Sequence, residues 1–284
     1  MKLYQTTLPG GAQLTGYLRE PAPEMPLVQK RPAVLILPGG GYEYCSVREA
    51  DPVAMQFLSA GYQAFVLLYT TAGSKDVSLP LGWQPVCEAA QAIAHIRANA
   101  ERFHLRENSV AVCGFSAGGH LAASVSMLWD AAPVREAVAA LAAGGEANSA
   151  LYAQPAAARP DAAILSYPVI TAGPYAHRGS FTVLCGQDET LLARFSLEHQ
   201  VRPDMPPCFV WHDVTDETVP VENALMLAAE LQKQKISYEL HLFRQGVHGE
   251  SICTAEVNTP NRQSAHWLPL CAGWLADVLD YHVV

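Results

Sequence analysis

Gly114-Phe115-Ser116-Ala117-Gly118 decides the fold. It follows the run Ser109-Val110-Ala111-Val112-Cys113 and opens into Gly118-Gly119-His120-Leu121, the start of an Ala/Leu-rich stretch that continues to position 129. A G-x-S-x-G pattern between a strand and a helix is a nucleophile elbow: glycines two places either side of the serine allow a turn tight enough to hold the hydroxyl out at a helix N-terminus. A purely structural glycine turn is the plainer reading, and the flanking strand and helix weigh against it. Ser116 is the candidate nucleophile.

Outward from the elbow, short β-rich runs at 13–19, 33–37, 63–69, 109–113, 162–167, 207–212 and 237–243 alternate with helical stretches at 48–59, 85–102, 117–129, 221–234 and 264–281. Several of the runs are apolar almost throughout, as strands covered on both faces must be. The alternation predicts an α/β fold with a mostly parallel central sheet of about eight strands and helices on both faces. The 284 residues fit one such domain over 1–284. Two stretches break the rhythm: 131–158, rich in Ala, and 174–203, mixed, with a short helical piece near 191–198. Each is a candidate lid segment, with a surface meander as the alternative.

Composition excludes several classes. With 50% hydrophobic and 16% charged residues the chain has enough apolar surface to offset the entropy of ordering, so it is not disordered. A net charge of -9 without clustered Lys or Arg argues against nucleic acid. No apolar run approaches the roughly 18 residues of a membrane span. The opening Met1-Lys2-Leu3-Tyr4-Gln5-Thr6 lacks the apolar core of a signal peptide, and the seven cysteines are spread singly without a C-x-x-C pair. The expectation is a cytoplasmic protein with free thiols and no paired-cysteine zinc site.

A serine hydroxyl needs a base and an acid that orients it, and on folds that carry this elbow they follow in the order serine, acid, histidine. Among ten histidines, His248 lies in Gln245-Gly246-Val247-His248-Gly249, a glycine-flanked loop after the last strand. His120 is close in sequence but fails the order rule, while His95, His104, His212, His241 and His266 read as structural or surface residues. For the acid, Asp213, Asp216 and Glu217 all follow the strand at 207–212. Asp216 is preferred because Asp216-Glu217-Thr218-Val219-Pro220 leads into the next helix, with Asp213 as the fallback. Pro38-Gly39-Gly40-Gly41-Tyr42 ends another strand, and its amides, with that of Ala117, make a plausible oxyanion hole. A nucleotide-binding loop, the rival reading, fails on glycine spacing.

Pro38-Gly39-Gly40-Gly41-Tyr42, Arg48-Glu49, Gly61-Tyr62, the elbow through Leu121, Ser166-Tyr167-Pro168, Asp216 through Val221 and Gly246-Val247-His248-Gly249 together resemble the acetyl esterase and acetylxylan-esterase-like branch of the α/β hydrolases, related to the hormone-sensitive-lipase-like carboxylesterases. There the hole motif is H-G-G-G; here Pro38 stands in place of the histidine. The resemblance implies an α/β-hydrolase fold, a Ser116–Asp216–His248 triad, Gly40, Gly41 and Ala117 as amide donors, no metal or organic cofactor, and a small-molecule ester as partner, with neither nucleic acid nor membrane. It implies hydrolysis of short acyl esters, acetyl foremost, of sugars or small alcohols. Some relatives carry xylanase labels; glycosidic cleavage would need a pair of carboxylates flanking a groove, and no such pair stands out. A prolyl-oligopeptidase-like peptidase and an inactive ligand-binding homologue are the alternatives. Tyr42, Tyr44 and Trp83 are the candidate pocket residues.

Overall fold

A computed structural model describes residues 1–144 and 149–283. Its strands are β1 (Lys2–Thr7), β2 (Gln13–Leu18), β3 (Arg31–Leu37), β4 (Gln63–Leu68), β5 (Leu105–Phe115), β6 (Ala162–Ser166), β7 (Cys208–Asp213) and β8 (Tyr238–Phe243). They form an 8-stranded sheet in the order β1-β2-β4-β3-β5-β6-β7-β8. The β1–β2 and β2–β4 pairs are antiparallel, and from β4 to β8 the sheet is parallel. The mostly parallel sheet expected from the alternation is thus present. The hairpin strand β1 was not foreseen: its residues are exposed or half-buried, so no apolar run marks it.

Period-2 alternation sends successive side chains of the central strands to opposite faces. Leu35 and Leu37 of β3, with Val110 and Val112 of β5, join one core; Val34, Ile36, Ala111 and Cys113 join the other. The first core is covered by α2 (Gln84–Ala98), α3 (Ala117–Leu128) and α7 (Glu222–Gln234), the second by α1 (Asp51–Ser59) and α8 (Trp267–Val278). Trp211 of β7 stacks on Trp267 of α8 with ring centroids 5.3 Å apart.

The two irregular stretches contain further helices. In 131–158, α4 (Ala132–Ala139) buries Val134 and Val138, and Gln91 of α2 donates to its Ala137 carbonyl at 2.8 Å. Residues 145–148 of this candidate lid lie outside the described residues. In 174–203 lie α5 (Arg178–Cys185) and α6 (Glu189–Phe195).

Parallel strands place their carboxyl ends on one edge, where the following loops can converge. Register makes this concrete: Leu37 pairs with Gly114, and Phe115 with Ser166, while Asp213 pairs with Phe243. The loops carrying the glycine run, Ser116, Asp216 and His248 all leave this edge.

Candidate active site

Ser116 sits between β5 and α3 with φ 54 and ψ -118, a conformation that an L residue holds only when its surroundings impose it. They do so through contact. A Cβ at Gly114 would lie 2.0 Å from the Gly118 carbonyl oxygen, and one at Gly118 would lie 2.1 Å from that of Leu37. The Ser116 N–H donates to the Ser166 carbonyl at 3.0 Å, locking the elbow onto β6.

The structure brings the three sequence-predicted side chains together. Ser116 Oγ lies 2.7 Å from His248 Nε2, and His248 Nδ1 lies 2.7 Å from Asp216 Oδ2. With Nδ1–H donating to the carboxylate, Nε2 is left to accept the serine proton. The Tyr167 ring meets the His248 imidazole edge-on, centroids 5.1 Å apart. Asp216 Oδ1 accepts the Thr218 and Val219 N–H groups at 2.9 and 3.0 Å. Burial pushes the Asp216 pKa up, but hydrogen bonds from His212 and His248 and the Val219 amide outweigh it and hold the carboxyl well below the usual range. His212, read from sequence as a structural or surface residue, is fully buried; its Nε2 donates to the Val219 carbonyl at 2.8 Å and lies 3.3 Å from Asp216 Oδ2.

The glycine run after β3 turns beside Ser116 with φ +121 at Gly40 and +67 at Gly41. The Gly39 N–H is committed to Glu49 Oε2 at 2.8 Å, which leaves Gly40, Gly41 and Ala117 as the candidate amide donors. Glu49 is the residue that sequence reasoning missed. Almost fully buried, it also accepts the Tyr167 hydroxyl at 2.6 Å, and Tyr167 OH in turn accepts the Ser251 N–H at 2.9 Å. One buried carboxylate therefore ties the glycine run to β6 and to the loop beyond His248. Burial raises its pKa against the opposing pull of the Tyr167 and Gly39 hydrogen bonds. Its only signal in the sequence was its place in the Arg48-Glu49 pair.

A cavity of about 330 Å³ opens over Ser116 and His248, walled in part by Glu43, Tyr44, Arg48 and His177. Among the described residues, no aliphatic side chain lines it. It shares Glu43 and Tyr44 with a wider depression of about 890 Å³ on one side, and Thr218 and His248 with one of about 950 Å³ on the other. Tyr44 lies on the wall, 58% exposed. Tyr42 and Trp83 do not. Tyr42 is turned inward by its positive φ of 64, fully buried, with its hydroxyl donating to His120 Nδ1 at 2.7 Å, and Trp83 packs on Phe195. His120 is held neutral by burial, its pKa pushed down to about 4, and its Nε2 donates to the Phe195 carbonyl. The 174–203 stretch contributes His177 and Gly179 to the wall; the described residues of 131–158 contribute none.

A family model described as BD-FAE matches residues 24–231. The chain belongs to the BD-FAE family. This family member is 38% identical over 229 residues to endo-1,4-beta-xylanase B of Butyrivibrio fibrisolvens, covering 80% of the chain and 34% of the relative. It is 25% identical over 247 residues to an acetylxylan esterase of Xylanibacter ruminicola, covering 84% of the chain and 44% of the relative. The chain thus spans less than half the length of these curated relatives. Among solved structures it resembles an acetyl ester-xyloside bifunctional hydrolase from Caldicellulosiruptor lactoaceticus, at 30% identity and a TM-score of 0.76, over 96% of this chain and 90% of the other. Fold and family are those of the α/β hydrolases, as the sequence motifs implied.

Proposed function

We propose that the protein is a serine carboxylesterase that removes short acyl groups, acetyl foremost, from sugars or small alcohols. The observation that carries this is the unbroken relay Ser116 Oγ, His248 Nε2, His248 Nδ1, Asp216 Oδ2, each step 2.7 Å, beside the amides of Gly40, Gly41 and Ala117. In the reaction, His248 takes the Ser116 proton as the hydroxyl oxygen attacks the ester carbonyl. The carbonyl oxygen, now negative, rests on the amides. His248 then protonates the departing alcohol. Water, deprotonated by the same imidazole, attacks the acyl-serine, and the acid leaves.

The cavity supports the short acyl group: about 330 Å³ without an aliphatic side chain offers nothing to a long chain and much to hydroxyls. The depressions on either side give a larger glycoside room to extend. The esterase names of relatives support the same reading. The name xylanase belongs to a relative of which this chain covers 34%. We place the protein in the cytoplasm, in keeping with seven unpaired cysteines. No helix among the described residues is long and apolar enough to cross a membrane.

The test is hydrolysis of p-nitrophenyl esters of increasing chain length, with acetylated methyl glycosides alongside. Acetate should turn over fast and laurate slowly. Ser116→Ala should lose at least about 1000-fold in kcat and its labelling by a fluorophosphonate. Full turnover by that variant, or no turnover of any short ester by the wild type, overturns the reading.

A further inference from the structure

Among the described residues, His177 is the one cavity-wall imidazole that the triad does not use. It precedes α5 and caps it: Nδ1 accepts the Ser180 N–H at 3.3 Å and lies 2.8 Å from Ser180 Oγ. An Nδ1 that accepts a backbone N–H carries no proton, so the neutral ring holds its proton on Nε2. That nitrogen has no hydrogen-bond partner among the described residues, and the ring lines the cavity over Ser116. The ring also borders the glycine run, with Cε1 3.8 Å from where a Cβ of Gly41 would stand.

We propose that His177 is a specificity-determining residue: its Nε2–H donates a hydrogen bond to a hydroxyl of the acyl acceptor. The inference rests on the esterase reading above and deepens it to the recognition of a polyhydroxylated alcohol. Two features assign the donor to the acceptor and not to the ester carbonyl. Gly40, Gly41 and Ala117 already offer amides to that oxygen, whereas a sugar hydroxyl must both give and take a hydrogen bond. The same wall provides an acceptor in Glu43, and Tyr44 supplies an exposed aromatic face for the sugar's C–H surface. Burial and the neighbouring His248 both lower the His177 pKa, keeping the ring a neutral donor at pH 7.

The helix cap supplies a clean variant. In His177→Asn the amide oxygen replaces Nδ1 as acceptor of the Ser180 N–H, a favoured cap, while nothing replaces Nε2. In His177→Gln the amide nitrogen reaches toward the Nε2 position and restores the donor. The measured quantity is the ratio of kcat/KM for a monoacetylated methyl xyloside to kcat/KM for p-nitrophenyl acetate, whose leaving group has no second hydroxyl. For His177→Asn the ratio should fall about tenfold, the worth of one hydrogen bond, mostly through KM, and His177→Gln should recover part of it. Methyl xyloside should also weaken as a competitive inhibitor of the Asn variant. An active wild type whose ratio is the same in all three proteins overturns the role of His177 and leaves the esterase reading intact. A wild type inert on every acetyl ester overturns both.

Discussion

Asp213 and Asp216 leave the end of β7 in one turn, the Asp216 N–H donating to the Asp213 carbonyl, and both are buried. Their surroundings are opposite. Asp216 gathers the Thr218 and Val219 amides on one oxygen and His212 and His248 on the other, and stays ionised well below the usual carboxylate range. Asp213 has Ser264 Oγ on Oδ1 at 2.6 Å and nothing on Oδ2 among the described residues. Burial and the neighbouring charges of Glu250 and Asp216 push it up to about 7. Both are buried, so burial alone does not decide a carboxyl's charge; its balance against the donors and charges around it does. The chain thus separates an aspartate held charged, which can steady an imidazolium, from one whose pKa is pushed up and which packs under the His248 loop, where a Cβ on Gly246 would lie 2.3 Å from Asp213 Cγ.

The harshest way to break the comparison is Asp216→Asn. The amide offers His248 Nδ1 a donor as readily as an acceptor, so the imidazole loses its tautomer and its counter-charge, and kcat should fall by about 10⁴-fold. Steady-state kinetics on p-nitrophenyl acetate, with circular dichroism to confirm folding, reads it. A loss below tenfold, or an equal loss in Asp213→Asn, would make Asp213 the better acid. A third buried carboxylate sharpens the donor argument. Glu49 has two donors, Gly39 N–H and Tyr167 OH, which pull its pKa down while burial, the larger effect, raises it. Glu49→Gln must turn its amide N–H₂ toward one of those donors, which displaces the glycine run. The expected loss is about 10- to 100-fold in kcat with KM nearly unchanged, less than removal of an oxyanion donor outright. An unchanged kcat would mean that Glu49 only fills space.

The parts legible from sequence were those encoded locally. An elbow is five residues with a strand and a helix attached, and the order of Ser116, Asp216 and His248 follows strand ends that apolar runs reveal. Glu49 was hidden because its role exists only where Gly39 and Tyr167, from two different strand ends, converge on it. Tyr42 misled for a related reason: it follows three glycines, as a loop-tip residue would, yet its backbone aims the ring at His120 on α3. His177 lay unseen in a stretch without periodicity, since α5 is eight residues long and its cap is a histidine in place of the usual Ser, Thr, Asp or Asn.

The gentlest test separates the two aspartates through pH. A carboxyl whose folded pKa lies above its unfolded value near 3.9 binds more protons in the folded state, so its contribution to stability is full below about pH 4 and is lost as pH rises toward 7. Asp216 has the reverse sign: its folded pKa is depressed, and its contribution is present above about pH 4 and lost on further acidification. Asp213→Asn keeps an oxygen for Ser264 and sets an N–H₂ where Oδ2 had no partner, facing Glu250. The variant should therefore gain on wild type as pH rises from 5 to 8, by a few degrees in Tm at about 2–4 °C per kcal/mol for a chain of this size. Its kcat at pH 7 should stay within about threefold of wild type. Thermal unfolding at matched pH values reads this directly, with Asp216→Asn as the opposed control, whose deficit should shrink below pH 4. Parallel Tm curves for Asp213→Asn and wild type across pH 5 to 8 would mean that Asp213 is ionised like its neighbour, and the contrast between the two would then lie in hydrogen-bond geometry alone.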